Sequence, residues 1–179
     1  MKLYIYIVLV VSLMVSSCKK GGAERGVPPS EKVIEDLNIT KTSVKAKFVN
    51  KELDLLYFGY LAVKAALVNT DVLKTQDTAK KMAEDLKGLS QYNNVRQIAV
   101  LIYKEGDIEK QREFFVGLTD GVFKVINGNV AEGKVFQQMC PMAFNGKGAV
   151  WLSDSQEVRN PYFGDVMLAC GAVVKIFEN

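Results

Sequence analysis

Near the C-terminus, Met139-Cys140-Pro141-Met142 and Val166-Met167-Leu168-Ala169-Cys170 place two thiols and three thioethers within 32 positions of a chain that has no histidine. The remaining cysteine is Cys18, and beyond the first residues the only other methionine is Met82. Soft, polarisable sulfur donors select soft metals, above all Cu(I) and by the same logic Ag(I). Cys140 and Met142 are two apart, and an extended backbone there sends both side chains the same way. Met167 and Cys170 are three apart, so one helical turn puts both sulfurs on one face. Cys140, Met142, Met167 and Cys170 are therefore the candidate metal ligands, with Met139 on the other side of its strand as a reserve.

The same residues support a second reading. Two cysteines outside the cytoplasm are expected to oxidise. A Cys140–Cys170 bridge would contribute roughly 3–4 kcal/mol by the loop-entropy model, with the methionines packing beside it. Spacing alone leaves both readings open.

Compartment follows from the first residues. Met1-Lys2 is a basic start, Leu3 to Val15 an uncharged apolar run, and Val15-Ser16-Ser17-Cys18 a small-residue stretch ending in cysteine. The run is too short to span a bilayer as a helix, for which about 20 residues are needed, and has the proportions of a signal-peptide core. Residues 1–17 thus read as a lipoprotein signal peptide, with Cys18 the acylated first residue of the mature protein. Residues 18–45 are rich in Gly, Pro and charge at their start and read as a flexible tether. Residues 46–179 form one domain. Removing residues 1–17 takes away Lys2, leaving 22 basic residues against 20 acidic ones. That balance excludes a nucleic-acid footprint, and the expected location is the periplasm or cell envelope, with membrane contact through the lipid.

Helical periodicity positions the sulfur. Leu53, Leu56, Tyr57, Tyr60 and Leu67 recur at three- and four-residue spacing. Asn69-Thr70-Asp71 ends that run and caps the next, whose stripe is Val72, Ala79, Met82, Leu86 and Leu89. Val95, Ile98, Ala99, Ile102 and Tyr103 form a third stripe. Ile108, Phe115, Leu118, Val122, Val125 and Ile126 form a fourth, capped by Asp107. The fold class is mainly α, an antiparallel four-helix bundle, with Glu109, Lys110, Arg112 and Glu113 on a solvated face. After Asn127-Gly128-Asn129 the pattern changes to short extended runs, Val130 to Gln138, Ala149 to Leu152 and Ala172 to Phe177. Turns at Asn145-Gly146 and Asn160-Pro161 separate them. Gly164-Asp165 is expected to cap one helical turn, Val166 to Cys170, stopped by a left-handed Gly171. The tail reads as a loop-rich cap whose small core is Trp151, Tyr162 and Phe163.

Catalysis finds no machinery. Without histidine, Ser-His and Cys-His nucleophiles are excluded, and there is no phosphate-binding glycine pattern. The chain reads as a non-enzyme.

Cys140-Pro141-Met142-Ala143, Gly148 to Ser153, Arg159 to Gly164 and Met167 to Gly171, with Tyr60 to Val68 and Asp107 to Phe114 upstream, resemble a bacterial secreted domain of unknown function. That domain also occurs appended to periplasmic adaptor subunits of copper/silver efflux systems. The resemblance implies soft-metal handling, an efflux adaptor or other envelope protein as partner, and Cys140, Met142, Met167 and Cys170 as the sulfur positions. Many relatives carry histidine where this chain has Lys110 and Phe114, which implies a site reduced to sulfur alone.

Overall fold

The computed structural model describes residues 40–179. The leader, Cys18 and most of the tether lie outside the described residues. Helices dominate, with small antiparallel sheets at the C-terminal end.

Helix α1, Lys51–Val68, starts where the Asn50 side chain accepts a hydrogen bond from Leu53 N–H at 2.9 Å. Almost every side of it from Leu56 onward is buried, because it packs on α2 (Val72–Asp85), on α4 (Ile108–Ile126) and on strand β1 (Lys47–Phe48). A helix apolar all round is one that has been surrounded. Gly59 faces α2 so closely that an added Cβ would lie 2.8 Å from Met82 Cγ. The glycine is the socket into which Met82 packs, and Met82 is core filler as its stripe indicates.

Asp71 caps α2 by accepting from Lys74 N–H, and Asp107 caps α4 by accepting from Glu109 and Lys110 N–H. Both satisfy amides that a helix start leaves without partners. Helix α3, Asn93–Lys104, follows a 3₁₀ turn at Ser90–Tyr92 and packs between α2 and α4 through Val95, Ala99 and Ile102. None of the helices is long and apolar enough to cross a membrane among the described residues.

The tail folds as short strands. β1 pairs with β2 (Val130–Glu132). A separate three-stranded antiparallel sheet has β3 (Val135–Cys140) in the middle, between β4 (Ala149–Ser153) and β5 (Ala172–Phe177). The run expected to extend from Val130 to Gln138 is thus two strands, divided at Gly133 and Lys134.

Aromatic rings connect the two regions. Phe48, Tyr57, Tyr60, Phe115, Tyr162 and Trp151 form a continuous series with centroids 5.1–6.1 Å apart, spacings at which ring pairs attract. Trp151 and Tyr162 are buried and Phe163 is half-buried, so the tail's aromatic core lies against α4.

Polar contacts complete the docking. Tyr60 Oη accepts from Leu152 N–H at 2.9 Å and lies 3.0 Å from Thr119 Oγ1. Lys64 Nζ donates to Ser153 Oγ at 3.0 Å. Arg112 does not join the solvated face expected for it. Its guanidinium is buried and donates to the Pro161 carbonyl at 3.0 Å and to Thr70 Oγ1 at 3.3 Å, and it pairs with Glu109. The tail supplied a carbonyl that no helix-surface pattern reveals.

Candidate thiol site

Burial along β3 places Phe136, Gln138 and Cys140 on one inward face by the two-residue period of a strand. Gln138 is fully buried and satisfied on both sides of its amide. Oε1 accepts from Trp151 Nε1 at 2.7 Å, and Nε2 donates to the carbonyls of Ser155 and Glu157 at 3.0 and 3.1 Å. Cys140, two residues on, is 0% exposed. Met139 between them is on the opposite side of the strand, as its reserve position implies.

Cys170 arrives at the same place from the other end of the tail. Asn160, also fully buried, sets its position. Asn160 Nδ2 donates to the Cys170 carbonyl at 2.8 Å, and Asn160 N–H to the Leu168 carbonyl at 2.8 Å. Its Oδ1 accepts from Tyr162 N–H and Phe163 N–H at 2.8 and 3.3 Å. One side chain therefore ties the start of the loop to its finish. Gly171 follows with φ of 141°, and an added Cβ would lie 2.8 Å from Trp151 Cη2 and 2.9 Å from the Met139 carbonyl oxygen. No larger residue lets the chain turn there into β5.

The outcome is a pair of sulfurs, Cys140 Sγ and Cys170 Sγ, 2.8 Å apart and not bonded. Cys170 is half-buried and Cys140 lies behind it. Its hydrogen bond with Cys140, followed by desolvation, holds the Cys170 thiol above the ordinary cysteine range. A metal bound by two thiolates through bonds of about 2.3 Å would separate the sulfurs by roughly 3.7–4.6 Å. Metal capture therefore requires the pair to open by about 1–2 Å on that geometry.

The methionines are placed differently. β3 ends at Cys140 because Pro141 cannot donate to the ladder, and Met142 has φ −87° and ψ −14° at the head of a short turn, Ala143–Gly146. The backbone at Cys140-Pro141-Met142 is not extended, so the expected same-side pairing by strand alternation does not apply. Met142 is 55% exposed. At the other pair, the helical turn starts earlier than expected, as a 3₁₀ turn at Gly164–Met167, and Cys170 N–H donates to the Met167 carbonyl at 3.0 Å. Cys170 lies beyond the end of that 3₁₀ segment and is joined to Met167 by this backbone bond. Neither Met142 nor Met167 belongs to the hydrophobic cluster that includes Cys140 and Cys170. Among the described residues no group of three Cys, Asp or Glu side chains is arranged to hold a metal ion.

A polar group that the sequence did not single out lies elsewhere, between α1 and the end of β4. Lys64 is 6% exposed, and burial lowers its amine to a pKa of about 8, with Asp154 opposing the shift. Tyr57 Oη and Asp154 Oδ2 are buried there without partners among the described residues. The available signal was a lone lysine in the apolar run Tyr60-Leu61-Ala62-Val63-Lys64-Ala65-Ala66.

Comparison with known families places the helical part. No curated protein and no solved structure matches the chain. Residues 56–133 match the model of a family described as a protein of unknown function (DUF3347), a match that runs from α1 through β2 and stops before β3 and both cysteines.

Proposed function

We propose that this chain is a lipid-anchored envelope protein, tethered through Cys18, whose reduced Cys140–Cys170 pair binds Cu(I) or Ag(I). Its role would be to buffer the metal or pass it to an efflux adaptor or another envelope partner. The observation that carries this reading is the contact between the two sulfurs, 30 positions apart in sequence. Thiolates supply most of the affinity, and Met167 and the exposed Met142 are the soft donors available to complete the set. The chain contains no histidine to compete with sulfur. The four helices are read as an antiparallel bundle that supports the sulfur-bearing cap, and no catalysis is assigned. Titration of reduced protein with Cu(I) against a competing chelator tests this. The affinity is expected to collapse in a Cys140→Ser, Cys170→Ser double variant, and an unchanged affinity would refute the proposal.

One observation favours a second reading. The sulfurs lie closer than a metal held by both would allow, which suits a permanent Cys140–Cys170 cross-link in a protein-interaction module. Intact mass of envelope-purified protein, with and without reductant, separates the two. Metal-protected free thiols exclude the permanent bridge, and a bridge that resists reduction excludes thiolate coordination.

A further inference from the structure

We propose that the thiol pair is a directional disulfide-exchange site, in which Cys170 is the sulfur that meets external disulfides and thiols and Cys140 is the resolving sulfur. The proposal deepens the reading of Cys140 and Cys170 as the working sulfurs by naming what controls their availability, and it does not depend on metal binding.

Three observations carry it. The first is asymmetry of access: Cys140 is 0% exposed, on the inward face of β3, whereas Cys170 is half-buried. The second is the setting of Cys170, which ends a turn whose Val166 is 79% exposed and whose Asp165 and Ala169 are also exposed. A reagent can therefore approach that sulfur without unfolding the sheet. The third is the 2.8 Å contact, which puts the resolving sulfur within reach of any adduct formed on Cys170. Asn160 keeps the Cys170 backbone in place while the sulfur reacts.

The steps balance. The Cys170 thiol gives up its proton, and the thiolate attacks one sulfur of an external disulfide. A Cys170–S–S–R bond forms and one R–S⁻ leaves. Cys140 then gives up its proton, and its thiolate attacks Cys170 Sγ, displacing the second R–S⁻. The pair has lost two electrons and two protons, and the external disulfide has become two thiols. In reverse, an external thiolate attacks Cys170 of the bridge and Cys140 leaves. Exchange rates depend on which sulfur is accessible and on its thiolate fraction.

The test uses the full chain, reduced and metal-free in the presence of a chelator, with oxidised glutathione as the probe. Adducts are mapped by peptide mass, which keeps Cys18 apart from the pair. With acid quenching at early times, the wild-type protein should carry glutathione on Cys170, then lose it as the Cys140–Cys170 bridge appears and a second equivalent of thiol is released. Cys140→Ser should trap the adduct on Cys170. Cys170→Ser should leave Cys140 at least about ten-fold slower to react until denaturant is added. Early adducts on Cys140, or a wild-type protein that stops at the glutathione adduct, would overturn the proposal. The wild-type mapping decides the matter even if a variant fails to fold. A failed Cu(I) titration leaves the exchange result standing, and a failed exchange leaves the titration free to succeed.

Discussion

The helical part and the C-terminal cap are held together by different physics. In the helices, burial is spread over many interchangeable aliphatic side chains such as Leu56, Leu67, Leu86, Ile102 and Leu118. The cap has a small apolar core, and its place is set by a few directional contacts. Lys64 reaches Ser153, Tyr60 reaches the Leu152 amide, Arg112 reaches Pro161, and Asn160 clasps the loop that ends in Cys170. Apolar burial is non-directional and tolerates substitution of similar volume, whereas a buried polar group left unpaired costs its full desolvation. The helices should therefore absorb single changes that the cap does not, and the thiol pair lies in the intolerant half.

The most severe way to break the comparison is to remove the cap. Truncation at Asn129 would uncover Tyr60, Lys64 and Phe115. The thermal midpoint should fall by roughly 10 °C or more, since each lost kcal/mol shifts a domain of this size by several degrees. Calorimetry checks this, and an unchanged midpoint would make the cap an independent appendage. Next in size is Asn160→Ala. It strips three side-chain hydrogen bonds from a buried loop and should cost about 3 kcal/mol in denaturant unfolding at about 1 kcal/mol each. It should also slow bridge formation between Cys140 and Cys170. A core change of equal chemical reach in the helices, Leu118→Met, should cost less than about 1.5 kcal/mol.

Lys64 sharpens the comparison through pH. Its folded pKa of about 8 lies below the usual lysine value of 10.5, so between these values the unfolded state binds more protons and stability rises with pH. The contribution should total on the order of 2–3 kcal/mol across that window and be absent below pH 8. Lys64→Met should abolish the difference. Measurements belong below about pH 10, because Tyr57, Tyr60 and Tyr162 are pushed upward by burial and favour unfolding once free tyrosine ionises. A wild-type curve that falls between pH 8 and 10 relative to the variant would contradict this sign.

The smallest expected stability effect is that of Met142→Leu, within about 0.5 kcal/mol because the side chain is exposed. Cu(I) affinity should nonetheless drop if the thioether completes the donor set, and equal affinity would restrict the site to Cys140, Cys170 and Met167.

Much of the helical part was legible because its signals are local. The stripes through Phe115, Leu118 and Val122, the caps Asp71 and Asp107, and the turn at Asn127-Gly128 each depend on residues within a few positions of one another. Arg112 was misjudged for the converse reason. Its partner Pro161 is 49 positions away, and on its own helix it occupies a charged face. The extended backbone expected through Met142 did not hold because Pro141 ends the strand at Cys140.

By itself, the sequence determined the inventory and the local conformations: sulfur without histidine, helices where apolar residues recur at helical spacing, and a left-handed glycine after Cys170. The tertiary structure alone decided that Cys140 and Cys170 touch, that one is sealed and the other reachable, and that Met142 lies exposed. The physical reason is that periodicity and capping report interactions within a few residues. The meeting of two sulfurs 30 positions apart depends on how Asn160, Gln138 and Trp151 satisfy their hydrogen bonds and volume together.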